Sequence, residues 1–274
     1  MSQEGMKKRY KLSKTSSLHY IKLVGRSLML LGALALFVAD KVTGTDRFFG
    51  SAANNGVLLF AIWAVYVVEM ILRFFPSSIE SMGCQKQFSK NYIPTGKEYD
   101  KSAETSTATV ILIAFIWLVF NGIFALLYYL GVFDRGIMIL ISLAFGVCDM
   151  ICILFFCPFQ TWIMKNKCCT SCRIYNWDFA MMFTPLVFVP DIFCQSLFML
   201  GMILLIKWEI YAAKYPERFS ETTNKCLSCG QCKEKLCTHK RQLKGFLQKN
   251  RSRFRLKDNL LFIQEKVTHK KISK

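Results

Sequence analysis

The feature that most constrains this chain is Thr105–Phe133, a run without a single charged residue. Only Asp134-Arg135 separates it from a second apolar run, Gly136–Met164, broken by Asp149 alone. Uncharged runs of this length bury themselves in lipid as helices, because a helix satisfies its own backbone hydrogen bonds where water is absent. The short polar turn between them predicts an antiparallel hairpin of two membrane helices.

Three further apolar runs follow the same logic. Ser27–Ala39, extended back to Ile21, reaches membrane length, with Lys22 and Arg26 snorkelling towards the cytoplasm. Phe37 stands where a cleavage site before Asp40 needs a small residue, so this run reads as an uncleaved anchor. Phe48–Val68 is uncharged and continues apolar to Phe75; Glu69 and Arg73, four apart, are expected to pair on one helix face. Phe179–Ile206 contains Asp191 and is interrupted by Pro185 and Pro190.

Charge decides how that last run is divided. Of the net +18, residues 1–26 carry +6 and residues 207–274 carry +12, leaving the middle neutral. Basic flanks mark the cytoplasmic side and attract anionic lipid headgroups. No nucleic-acid-binding fold surrounds the tail. A single span over 179–206 would put the 165–178 loop and the basic tail on opposite sides. A short segment Phe179–Val189 that turns at Pro190-Asp191, followed by a helix from Ile192, puts both in the cytoplasm. The expected fold is therefore all-α: a polytopic membrane helix bundle of about five to six segments, one short and proline-broken. Residues 1–20 form a basic arm, 21–215 the transmembrane domain and 216–274 a cytoplasmic, cysteine-rich basic tail. The localisation expected is the cell membrane, multi-pass, with both termini cytoplasmic.

Of the 12 cysteines, Cys148, Cys152 and Cys194 sit inside apolar runs. The remainder fall in loops and tail, beside lysine and arginine. In a reducing compartment, close CxxC pairs favour metal thiolates over disulfides. Cys226-x2-Cys229-Gly230 has the form of a zinc knuckle, and Cys169-x2-Cys172 supplies a second pair for a tetrahedral site. Cys226-x2-Cys229-x2-Cys232 is also similar to the first part of the bacterial ferredoxin pattern, departing from it at Cys237 and Thr238. Cys157-Pro158 at a span end looks like membrane-anchored iron–sulfur electron carriers. On that resemblance Cys157, Cys168, Cys169, Cys172, Cys226, Cys229, Cys232 and Cys237 would be the ligands of two four-iron clusters. The cofactor expected is thus zinc or an iron–sulfur cluster, with a redox or membrane protein as possible partner beside the bilayer itself. Cys168-Cys169 also suits palmitoylation.

Two other functions compete. Intramembrane Asp149 and Asp191 point to a small-solute or ion transporter, although Asp191 after Pro190 also fits a helix cap. Asp149, flanked by Cys148 and Cys152, is expected to share an interior face with them. Asn176-Trp177-Asp178 is expected to cap and anchor the short segment, and Trp208-Glu209 to mark the exit of the last span. A membrane enzyme on a lipid-linked substrate would use Asp178 and the basic residues near the headgroups. The chain has no glycine-rich phosphate loop, GxSxG or HExxH, and its 3 histidines lie in basic flanks, which argues against zinc hydrolysis. Whether it is an enzyme is left open at this level.

Overall fold

The computed structural model describes residues 14–44, 56–76, 82–99, 107–164 and 172–227. Among them the regular structure is helical: α1 (Lys14–Thr43), α2 (Gly56–Phe74), α3 (Met82–Gln87), α4 (Thr107–Tyr129), α5 (Arg135–Leu154), α6 (Asp178–Phe183) and α7 (Ile192–Lys214). Four helices, Ser16–Thr43, Thr107–Tyr129, Arg135–Leu154 and Ile192–Lys214, are long and apolar enough to cross a membrane. Their outward faces are apolar: Leu28, Leu31, Ile111, Phe115, Leu118 and Ile203 are all exposed. That pattern suits contact with lipid chains.

The α4–α5 hairpin forms as the short turn predicts. Gly131 takes φ 72° past the end of α4. Its N–H donates to the Tyr128 carbonyl (3.1 Å), and the Val132 N–H donates to Leu127 (3.0 Å). This pair closes the helix end in a Schellman motif, which needs a residue free to adopt positive φ. Asp134 then caps α5, its carboxylate accepting from the Ile137 N–H at 2.9 Å. The sequence reading carried the second span on to Met164; instead α5 ends at Leu154, and a π-helical turn, Phe159–Ile163, follows Cys157-Pro158. Pro158 has no N–H to continue the ladder.

Contacts fix the helix directions. α1 runs against α5, with Tyr20 against Phe155 at one end and Lys41 bridging Asp134 at the other. α2 runs alongside α7, since Trp63 donates to Ser196 (2.8 Å) and Lys207 to the Phe74 carbonyl (2.5 Å). The start of α1, the ends of α2, α5 and α7 and the start of α4 therefore share one end of the bundle, here the near end. The far end holds the α4–α5 turn.

The proline-broken segment makes this arrangement possible. α6 passes into a 3-10 stretch, Thr184–Phe188, that leads to a turn at Val189–Asp191. At its start Asp178 pairs with Arg73 of α2; at its finish Asp191 pairs with Arg135, the first residue of α5. Backbone carbonyls left open by the non-α geometry are met by Gln195, whose Nε2 donates to Val187 and Val189 at 2.8 Å each. Irregular backbone is tolerated in a bundle interior when protein groups satisfy it in this way. Asp191 caps α7 as the sequence predicts, accepting from the N–H groups of Phe193 (3.0 Å) and Cys194 (3.3 Å). α6 packs so closely on α7 that a Cβ on Gly201 would lie 3.2 Å from the Phe179 carbonyl oxygen.

At the near end, residues 216–227 fold back onto 88–99. Thr95 N–H donates to Thr223 (3.0 Å) and Lys225 N–H to Ile93 (2.9 Å). Asn224, fully buried, donates to the carbonyls of Lys86 (2.9 Å) and Arg218 (2.8 Å). Trp208, read from sequence as an exit marker, is core instead: it is 1% exposed and packs on Phe88. Lys207 beside it is ringed by Phe74, Phe88, Trp208 and Tyr211, with Nζ 4.8 to 5.9 Å from the ring centres.

Candidate functional site

Two features meet between α5 and α6 in the near-end half of the bundle. The first is a network of charges. Arg26 of α1, 3% exposed, donates to Glu69 of α2 (2.6 Å), to Asp149 of α5 (3.1 Å) and to the Gly146 carbonyl (2.9 Å). Lys22 stands 3.7 Å from Glu69. Arg73 holds Asp178 through two contacts, Nη1 to Oδ1 at 2.9 Å and Nη2 to Oδ2 at 2.5 Å. The guanidinium of Arg73 also lies over the Phe179 ring, and that of Arg26 over Tyr66. Three cations thus face three carboxylates, a balance that buried charge requires.

This pairing corrects the sequence reading. Glu69 and Arg73 do not pair with each other: Glu69 turns to Arg26 and Lys22, Arg73 to Asp178. Arg26 does not snorkel; α5 offers it a carboxylate and a carbonyl in the interior, which replace water as partners. Asn176-Trp177-Asp178 supplies no side-chain cap to α6. Its residues are cross-links: Asn176 to Gln87 (2.8 Å), Trp177 to Glu209 (2.7 Å) and Asp178 to Arg73. Glu209 also takes a two-pronged contact from Arg173.

The second feature is a cavity of about 150 Å³ on the other side of the same two carboxylates. Asp149 and Asp178 border it; Trp117, Phe145, Phe159 and Tyr175 supply aromatic wall. Four cysteines line it: Cys148 and Cys152 of α5, Cys157 just beyond, and Cys172. Cys148, Asp149 and Cys152 thus border one space, as their spacing predicted. Cys152, in the last turn of α5, and Cys157, just past its end, line the same space. The Gln160 N–H donates to the Cys157 sulfur at 3.4 Å. Cys172 is buried against Ile113, Met164 and Ile174.

Of the eight cysteines named from sequence, the structure brings Cys157 and Cys172 to this one cavity. Cys226 stands apart on the folded-back segment: its thiol donates to the Asn91 carbonyl at 3.2 Å, and its N–H donates to Asn224 Oδ1 at 3.0 Å. Cys168, Cys169, Cys229, Cys232 and Cys237 lie outside the described residues. Among the described residues no three His, Cys, Asp or Glu side chains converge as metal ligands, and the cysteines are free of disulfides. Sequence reasoning gave no role to Arg26 beyond snorkelling, nor any to Met181 and Met182, which also line the cavity.

These elements define a helical, membrane-compatible bundle with a buried charge network beside a thiol-lined cavity. No family model, curated protein or solved structure matches the chain.

Proposed function

We propose that this chain is a multi-pass protein of the cell membrane, with its near end in the cytoplasm, that carries a thiolate metal centre there. The centre joins the 165–178 loop to the tail. It takes zinc through Cys169, Cys172, Cys226 and Cys229, or iron–sulfur clusters for electron transfer through the larger set that adds Cys157, Cys168, Cys232 and Cys237. The observation that carries this reading is the shared end. Cys172 lies at the start of α4 and Cys226 beside the α2–α4 connection, both where α7 ends. Cys172 and Cys226, 54 residues apart in sequence, thus fall at one end of the bundle. Basic residues beside them in sequence, Lys165, Lys167, Arg173, Lys225, Lys233, Lys235 and Lys240, offset thiolate charge and favour anionic lipid headgroups.

Transport through the two aspartates finds less support. Asp191 is occupied by its cap and by Arg135, and Asp149 by Arg26. Metal analysis of anaerobically purified protein tests the proposal. About one zinc per chain, or iron with acid-labile sulfide, supports it; protein carrying neither overturns it.

A further inference from the structure

The cavity between α5 and α6 has a composition that its place in the bundle does not require. Besides Cys148, Cys152, Cys157 and Cys172, the facing wall carries Met181 and Met182. Six sulfur-bearing side chains from three stretches of chain border one space of about 150 Å³. Its hard oxygen donors are already committed, Asp149 to Arg26 and Asp178 to Arg73. Among the described residues no histidine lines it.

The chemistry of that donor set is selective. Thiolates and thioethers are soft ligands and favour Cu(I) over the hard or borderline divalent ions. A tetrathiolate zinc site would leave two net negative charges in an apolar cavity, where isolated charge is costly. Cu(I) bound by one thiolate and neutral thiol or thioether sulfurs is neutral overall, and so suits a low dielectric. Cu(I) is also content with two or three ligands, so the absence of a preformed three-residue cluster among the described residues does not count against it. Cys152 and Cys157 stand five residues apart across the end of α5, and both line the cavity. The Gln160 N–H donates to the Cys157 sulfur, which fixes that side chain at the cavity wall.

We propose that this cavity is a cuprous-ion site, with Cys152 and Cys157 as its principal ligands and Met181 as a thioether donor. Binding exchanges one S–H proton, released to solvent, for one thiolate–Cu bond, while the other sulfurs donate lone pairs without losing a proton; the chelator departs and copper stays as Cu(I), so no electron moves. The site does not depend on the tail centre proposed above, although it would take Cys157 from the larger ligand set.

The test uses the full chain in detergent under anaerobic conditions, with Cu(I) delivered from a chromophoric chelator. The expected result is one Cu(I) per chain, with an X-ray absorption spectrum fitted by two or three sulfur neighbours alone. Cys152→Ser and Cys157→Ser should each weaken binding by at least about tenfold, a loss that even an outer-shell partner can bring. Cys226→Ser/Cys229→Ser should leave it unchanged while removing zinc or iron from the tail centre, so the two proposals fail separately. Where a cavity variant does not fold, alkylation of the unaltered chain decides: Cu(I) should shield Cys152 and Cys157 from maleimide. Equal alkylation with and without Cu(I), no uptake from the chelator, or uptake that survives Cys152→Ser and Cys157→Ser overturns the site.

Discussion

The charge network and the sulfur cavity lie back to back, and Asp149 and Asp178 belong to both. On the network side, every charge sits within reach of an opposite one, and the contacts tie α1, α2, α5 and α6 together. On the cavity side, the wall is mostly aromatic rings and sulfur, completed by Ile153, Gln160 and Ile174, with space left between them. The difference separates two tasks. Buried, mutually satisfied ions hold helices in register and are intolerant of losing a partner. Space lined by sulfur and aromatic side chains contributes little to holding anything. Substitutions on the two sides should therefore behave differently.

The largest effect is expected at Arg26. Arg26→Met leaves Glu69 and Asp149 buried and without their shared cation, a loss of about 3–5 kcal/mol by analogy with other broken buried pairs. Unfolding of the purified chain in mixed micelles should register it. Arg73→Met should cost a similar amount, and Arg73→Met/Asp178→Leu should recover much of it, because an apolar pair of similar volume leaves no orphan charge. If the double variant is no better than the single, Asp178 is held by something other than Arg73.

Next comes the close packing that sets the two features apart. A Cβ on Gly146 would lie 2.7 Å from the Tyr66 hydroxyl oxygen and 3.3 Å from the Met182 sulfur. Gly146→Ala is expected to cost about 1–3 kcal/mol through overpacking. Tyr66→Phe should relieve part of that cost in the same background, since the hydroxyl is the nearest atom. An additive double variant would place the strain at Met182, on the cavity side. At the far end, Asp191→Ala loses a cap worth about 1 kcal/mol and its ion pair with Arg135 as well. Asp134→Ala loses a cap and a bridge to Lys41 that is largely exposed and adds less.

The contrast also explains which parts were legible in sequence. The α4–α5 hairpin, the turn at Pro190-Asp191, the Asp191 cap and the shared end of residues 172–178 and 215–227 all follow from local signals: run length, turn residues, a proline and charge bias. The charge network does not. Glu69 and Arg73 have the spacing of a helical pair, yet each finds a partner on another helix, 43 residues away for Glu69 and 105 for Arg73. Spacing cannot rank a partner on the same helix against one across an interface whose crossing is still unknown. Trp208 was misplaced for the same reason: its position near a span end looks interfacial until residues 82–99 fold over it. The cavity was half visible. Cys148, Asp149 and Cys152 were legible as one face through their helical spacing, whereas Cys157, Cys172 and the two methionines come from segments whose approach depends on the whole bundle.

The smallest expected effect is the most discriminating. Cys152→Ala removes one sulfur from the wall of an existing space, so its cost to stability should stay within about 1 kcal/mol, the scale of one buried methylene. The same change made in the network, at a side chain of comparable burial, should cost several times more. Both are read from the same unfolding curve in the absence of metal. With Cu(I) present, the unaltered chain should gain stability by mass action, because a ligand that binds only the folded state raises it. Cys152→Ala should lose most of that gain while keeping its metal-free midpoint. A variant that instead unfolds readily without metal would make Cys152 a packing residue, and the two faces of α5 would then do the same work.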